Sequence, residues 1–234
     1  MADWTVDTLL GMTQDLLGEP RGSFYNIGAR LQYFNTVQNQ LVEDTRALTT
    51  DASLSTTAGT QTVAVPSDFL QFAQAQPIYY DGTDYYPLTV LSVHDVEKLY
   101  PDWKDTVKYT NIGSPEVIFR TSSDFNLLPV PNGGSLLLTY VKKPTALSLD
   151  TDVPFDGVED YNRFAPALAY KTASYLTMAH NPQYASMLNN IYMKERASFM
   201  SHIRRSPQQP VFIKPVTRRG TVPLSKQISN WRNS

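Results

Sequence analysis

The sequence predicts an α+β fold: a four-helix bundle, a small antiparallel β module inserted into it, and an extended C-terminal tail. Three observations lead there. Apolar residues recur at three-to-four spacing near residues 5–49 and 156–205, and between those segments they alternate with period two. Beyond Arg205 the pattern breaks, in a stretch with four prolines and no acidic residue. The expected division is 1–57 with 147–205 for the bundle, 58–146 for the β module and 206–234 for the tail.

The first helix runs to Leu17, with Asp3 or Thr5 able to cap it and Gly18 and Pro20 to stop it. A second spans about Asn26 to Thr49. Ile27, Leu31, Phe34, Leu41 and Leu48 form its stripe, and Gln38 and Thr45 interrupt it. Gln61, Val63 and Val65 then alternate with Thr62 and Ala64 as a strand. "PIYYDGTDYYPL" reads as a hairpin of two Tyr-rich strands around Asp81-Gly82. Ser92 and Asp95 cap a short helix that ends by Pro101. Strands follow at Glu116–Arg120, Phe125–Leu128 and Ser135–Val141, separated by Ser, Asn, Gly and Pro turns. Asp156 with Glu159 caps a third long helix reaching about His180, in which Ala165, Ala167, Ala169 and Ala173 permit close packing. Asn181-Pro182 ends it and starts a fourth, which carries Tyr184, Leu188, Ile191, Phe199 and Ile203 on one side. Each helix alone leaves an apolar stripe in water, so the two pairs are expected to pack together.

No cysteine is present, which excludes disulfide and thiolate chemistry. No apolar run is long enough to cross a bilayer, and Met1 to Leu17 lacks a basic start, so the expectation is a soluble protein without membrane association. Charge is uneven. The eight Lys and Arg residues after Glu195 leave residues 1–195 at −10 within a chain of net charge −2. Apolar residues interleave those basic ones, which favours attraction to an acidic protein surface over nucleic-acid binding.

Working groups of an enzyme are not found. His94, His180 and His202 lie far apart, and neither a nucleophile elbow nor a phosphate loop occurs. "DTDVPFDGVED" offers Asp150, Asp152 and Asp156, but Pro154 and Phe155 occupy loop positions where calcium needs an oxygen and a glycine. The expectation is therefore no catalytic residue, no cofactor and no metal.

The tail carries the positive signal. Prolines 207, 210, 215 and 223 prevent a continuous strand, and ordering such a segment costs about 1–2 kcal/mol per residue in backbone entropy. Its apolar side chains must therefore insert somewhere, into the body or, as expected here, another polypeptide. Val211, Phe212, Ile213, Val216, Leu224, Ile228 and Trp231, with Arg218 and Arg219, are the candidate partner-binding residues.

Three segments, in this order, resemble the head-to-tail adaptor proteins of tailed bacteriophages, the group that includes the first tail-tubular protein of short-tailed phages. They are "VAVPSDFLQF" at 63–72, "LLPVPNGGSLLLTYVKKPTALSLDTDVPF" at 127–155 and "YNRFAPALAYKTASYL" at 161–176. The resemblance implies a homododecameric ring beneath the portal, whose helices line a channel through which double-stranded DNA passes without sequence-specific binding. It implies that the C-terminal extension climbs onto the portal protein, and that the β module faces tail or nozzle proteins. Tyr79, Tyr80, Tyr85 and Tyr86 are then either that contact surface or ordinary sheet filling. A virion location at the head-tail junction and synthesis in the bacterial host cytoplasm follow from the same resemblance. The alternative reading is another tail, neck or baseplate subunit of a virion.

Overall fold

Residues 4–18, 27–73, 75–104 and 112–205 are described by the structure, a computed structural model. In chain order these residues form helices α1 (Val6–Leu17) and α2 (Ile27–Thr45), then strands β1 (Thr49–Thr56), β2 (Thr62–Ala64), β3 (Phe69–Phe72), β4 (Ile78–Tyr80), β5 (Tyr85–Pro87) and β6 (Thr89–Val90). Helix α3 (Val93–Leu99) follows, then β7 (Ile112–Gly113), β8 (Val117–Arg120), β9 (Asp124–Leu128), β10 (Val130–Pro131) and β11 (Gly134–Lys142). Helices α4 (Glu159–Asn162), α5 (Pro166–Thr177) and α6 (Pro182–Arg205) complete the described chain.

The expected four-helix bundle with a small β module is not what forms. Among the described residues there are five helices of seven residues or more, one single-turn helix and eleven strands in three sheets. Three local causes account for the difference. Thr49–Thr56, assigned to the helical part, is a strand at a sheet edge; its small polar residues alternate between exposed and half-buried without an apolar period to announce it. The third helix is split, because Pro166 lacks the N–H an interior position must donate, and the helix restarts there as α5. Finally, the sheets are not purely antiparallel, since β6 pairs with β8 and β10 with β7 in parallel.

Two units divide the described residues. In the first (4–18, 27–53, 64–73, 75–76 and 138–205), α5 packs against α1, α2 and α6. Its fully buried Ala165, Ala167, Ala169 and Ala173 let the neighbouring backbones approach. Val6, Leu9, Phe34, Val37, Leu41, Leu168, Tyr192 and Phe199 fill the space between. Thr5 caps α1 in reciprocal bonds with Thr8, and Gly18 closes it in the left-handed conformation. Gln38 and Thr45, which interrupt the α2 stripe, are both buried with partners. Gln38 donates to the Thr145 carbonyl and accepts from the Phe155 amide, and the Thr45 hydroxyl donates to the Leu41 carbonyl. Asn35 exchanges two bonds with the backbone of Leu147, so α2 fastens the 145–155 segment through its polar side chains. In β11, residues 140–142 pair antiparallel with β3.

In the second unit (54–63, 77–104 and 112–137), β4 pairs with β5 and with residues 135–137 of β11. A separate sheet runs in the order β2-β9-β8-β6. Trp103 meets Phe119 edge-to-face at 4.8 Å over Val96, Val117 and Leu128. Gly134 is required where it stands: its φ is +110°, and a Cβ there would press into the Tyr80 carbonyl at the β4–β11 pairing. Gly134→Ala is expected to cost at least about 2 kcal/mol in urea unfolding; an unchanged midpoint would mean that this pairing yields freely.

Candidate partner-binding surfaces

Val211, Phe212, Ile213, Val216, Arg218, Arg219, Leu224, Ile228 and Trp231 lie outside the described residues. What is described is the helix that leads to them. Phe199 is fully buried near the end of α6, stacked on Phe164 at 4.5 Å, with the rings of Tyr161 and Phe155 at 5.3 and 5.4 Å. Arg163 lies 4.7 Å over the Phe164 ring and donates to Nδ1 of His202, one turn beyond Phe199. Further back, Arg196 pairs with Asp44 of α2 at 2.9 Å. The last turns of α6 are thus held by aromatic contact and two guanidinium groups. Phe155, Tyr161 and Phe164 fall in a stretch read from sequence as a helix start, so the cluster they form with Phe199 was missed. Four aromatics at the end of one apolar stripe and the start of another were the available signal.

The acidic stretch that faintly suggested calcium is a backbone clamp. The Asp152 carboxylate accepts from the amides of Ser148 and Leu149 and from the Ser148 hydroxyl, and these bonds lower its pKa. Asp156 is not the helix cap that its spacing to Glu159 suggested. It sits in a 3₁₀ turn at φ +56°, accepts from the Thr145 amide at 2.7 Å and pairs with Lys142 at 2.5 Å. Burial alone raises the Asp156 pKa, but the bonds from Lys142 and Thr145 outweigh it and the net shift is downward.

A depressed carboxylate contributes stability that is complete above its unfolded value of 3.8 and lost as pH falls through the lower folded value. Asp156→Asn, which tolerates the left-handed backbone, removes that contribution. Thermal melts between about pH 5 and pH 2 should show a flatter acid limb for the variant than for the wild type; parallel limbs would refute the assignment.

The tyrosines of the β4–β5 hairpin divide by face. Tyr79 is fully buried and donates to the Gly133 carbonyl, and burial, with Asp81 nearby, raises its pKa. Tyr80 and Tyr85 stack at 4.7 Å on the outer face, where Tyr85 is exposed. The Tyr86 hydroxyl donates to Asp81, which also accepts from the amides of Thr83 and Asp84 and so shapes the turn. The outer surface is therefore Tyr80 and Tyr85, while the half-buried Tyr86 lies opposite Tyr79 on the other face.

Lys171 of α5 lies between the rings of Tyr175 and Tyr192, at 4.6 and 5.1 Å, and donates to Asn189; burial lowers its pKa. Burial and the nearby Asp44 push Tyr192 up to about 12. These contacts join α5 to α6. Among the described residues no group of three His, Cys, Asp or Glu is placed to hold a metal ion, and no helix is long and apolar enough to cross a membrane.

No curated protein matches the chain. The family model described as SU10 adaptor protein matches residues 4–210, a span that takes in every described element. The order of segments that resembled head-to-tail adaptors falls inside this match, and the chain belongs to the SU10 adaptor protein family, as a phage structural adaptor.

Proposed function

We propose that this chain is the repeating subunit of a dodecameric ring that joins the portal of a phage capsid to the tail and encloses a channel for double-stranded DNA. The family match over residues 4–210 carries this reading. Its chemistry is that of a scaffold, without catalysis, cofactor or metal. A body of charge −10 over residues 1–195 suits a channel wall, because each phosphate paired with Lys or Arg adds counterion-release affinity that would hold passing DNA. The basic, apolar segment beyond Arg205 supplies the portal contact, and the outer tyrosines of the hairpin face the tail or nozzle proteins. The chain is made in the cytoplasm of the bacterial host and ends at the head-tail junction.

Native mass measurement of the full chain, alone and with its portal protein, tests this: one closed oligomer is expected in the presence of the portal. Monomer under every condition, or sequence-specific retention of duplex DNA, overturns it. Tyr80→Ala with Tyr85→Ala is expected to weaken capture of the tail protein about tenfold or more while leaving ring mass unchanged, since stacked exposed aromatics make strong contact anchors. Undiminished capture would return those tyrosines to sheet filling.

A further inference from the structure

Lys171 and Lys194 bracket 22 residues, Thr172 to Met193, without a single Lys, Arg, Asp or Glu, the longest such run in the sequence. At the chain's 18% charge, a stretch of that length carries about four charged residues, as a solvated surface requires. Burial explains the gap in α5, where Thr172, Ala173, Ser174 and Leu176 are buried, but not in α6. The run forms the second half of α5, the turn after it and the first half of α6. On α6 only one side is covered, by Ala185, Leu188 and Tyr192. The opposite side carries Gln183, Met187, Asn190 and Met193 at spacings of four, three and three, all exposed. Met187 is 48% and Met193 46% exposed, and Met178 at the turn is 63% exposed. An outward face that combines exposed methionines with loss of charge has the composition of an interface centre.

The charge balance selects the occupant. The rest of the body is strongly acidic, and two copies brought together at random meet like charge. A face without charge is where a second acidic copy approaches without that cost. We infer that the outer face of α6 from Gln183 to Met193 is the contact with a neighbouring copy of this chain. The inference rests on the proposed ring and names the surface that builds it. In a closed ring the contact is heterologous, so this face meets a different face of the next subunit.

Two double variants of the full chain separate the outcomes. Met187→Glu with Asn190→Glu places two negative charges against an acidic neighbour, and sedimentation should show self-association weakened by about tenfold or more. Met187→Lys with Asn190→Lys, equally disruptive sterically but opposite in sign, should retain or strengthen it. Both positions are exposed, so unchanged thermal melts are expected and would exclude misfolding as the cause. If both variants assemble like the wild type, this face is not the contact, although the ring stands. If the wild type never assembles, with or without portal protein, the ring and this contact fall together. Should both variants assemble normally while the lysine variant alone gains duplex DNA retention, the face lines the channel instead, and the inference is overturned.

Discussion

Replacing Phe199 by Ala is expected to remove about 3–5 kcal/mol of stability, the range for a fully buried aromatic whose cavity cannot collapse. Phe199 is one of the largest side chains with no exposure, and three other rings surround it within 5.4 Å. Those rings come from the segment before α4, from α4 itself and from the residues leading into α5, so no single element can shift to fill the hole. In a chain of this length such a loss lowers the melting temperature by on the order of 10 °C. Leu149→Ala, at a position 64% exposed, is the control and should fall within about 0.5 kcal/mol of the wild type. A Phe199→Ala variant that melts with that control would show that the aromatic cluster does not hold the end of α6.

Removal of residues 206–234 is expected to have the opposite signature: assembly lost, fold kept. The deletion takes away Lys214, Arg218, Arg219, Lys226 and Arg232, moving the net charge from −2 to −7, together with the apolar anchors Val211 to Trp231. The core side chains described in the first unit, Val6 to Ile203, all remain. The melting temperature should therefore stay close to that of the full chain, while portal-dependent assembly disappears. At about 150 mM salt the truncated body should also fail to retain duplex DNA, since it keeps the carboxylates and loses five cations. Loss of fold on truncation would instead place those anchors in the body's own core.

How far the sequence could be read depended on whether a residue's purpose was local. Caps and breaks are local, and most were legible, the supposed Asp156 cap and the break at Pro166 excepted. Thr5 and Gly18 bound α1, Ser92 caps α3, and Asn181 accepts from the Tyr184 amide where Pro182 begins α6. The tyrosine hairpin and strands β8, β9 and β11 likewise follow from alternation and turn residues. Thr49–Thr56 was placed with the helical part, beyond a helix ending near Thr49, because a sheet-edge strand of small residues carries no periodic signature; its place is set by β11, almost ninety residues later. The four-helix bundle failed for the same reason, together with Pro166. Gln38 and Thr45 looked like flaws in an apolar stripe until their partners at Thr145, Phe155 and Leu41 were in view. Of the candidate contact residues, the hairpin tyrosines were legible as a group. Only the three-dimensional pairing separates buried Tyr79 from the stacked Tyr80 and Tyr85.

The central claim is that copies of this chain close into a ring around DNA. Rotational averaging of electron micrographs of the full chain assembled on its portal tests it most directly. The account predicts a closed dodecameric ring with an axial opening wide enough for duplex DNA. An open filament, a ring without such an opening, or single copies scattered on the portal would contradict it.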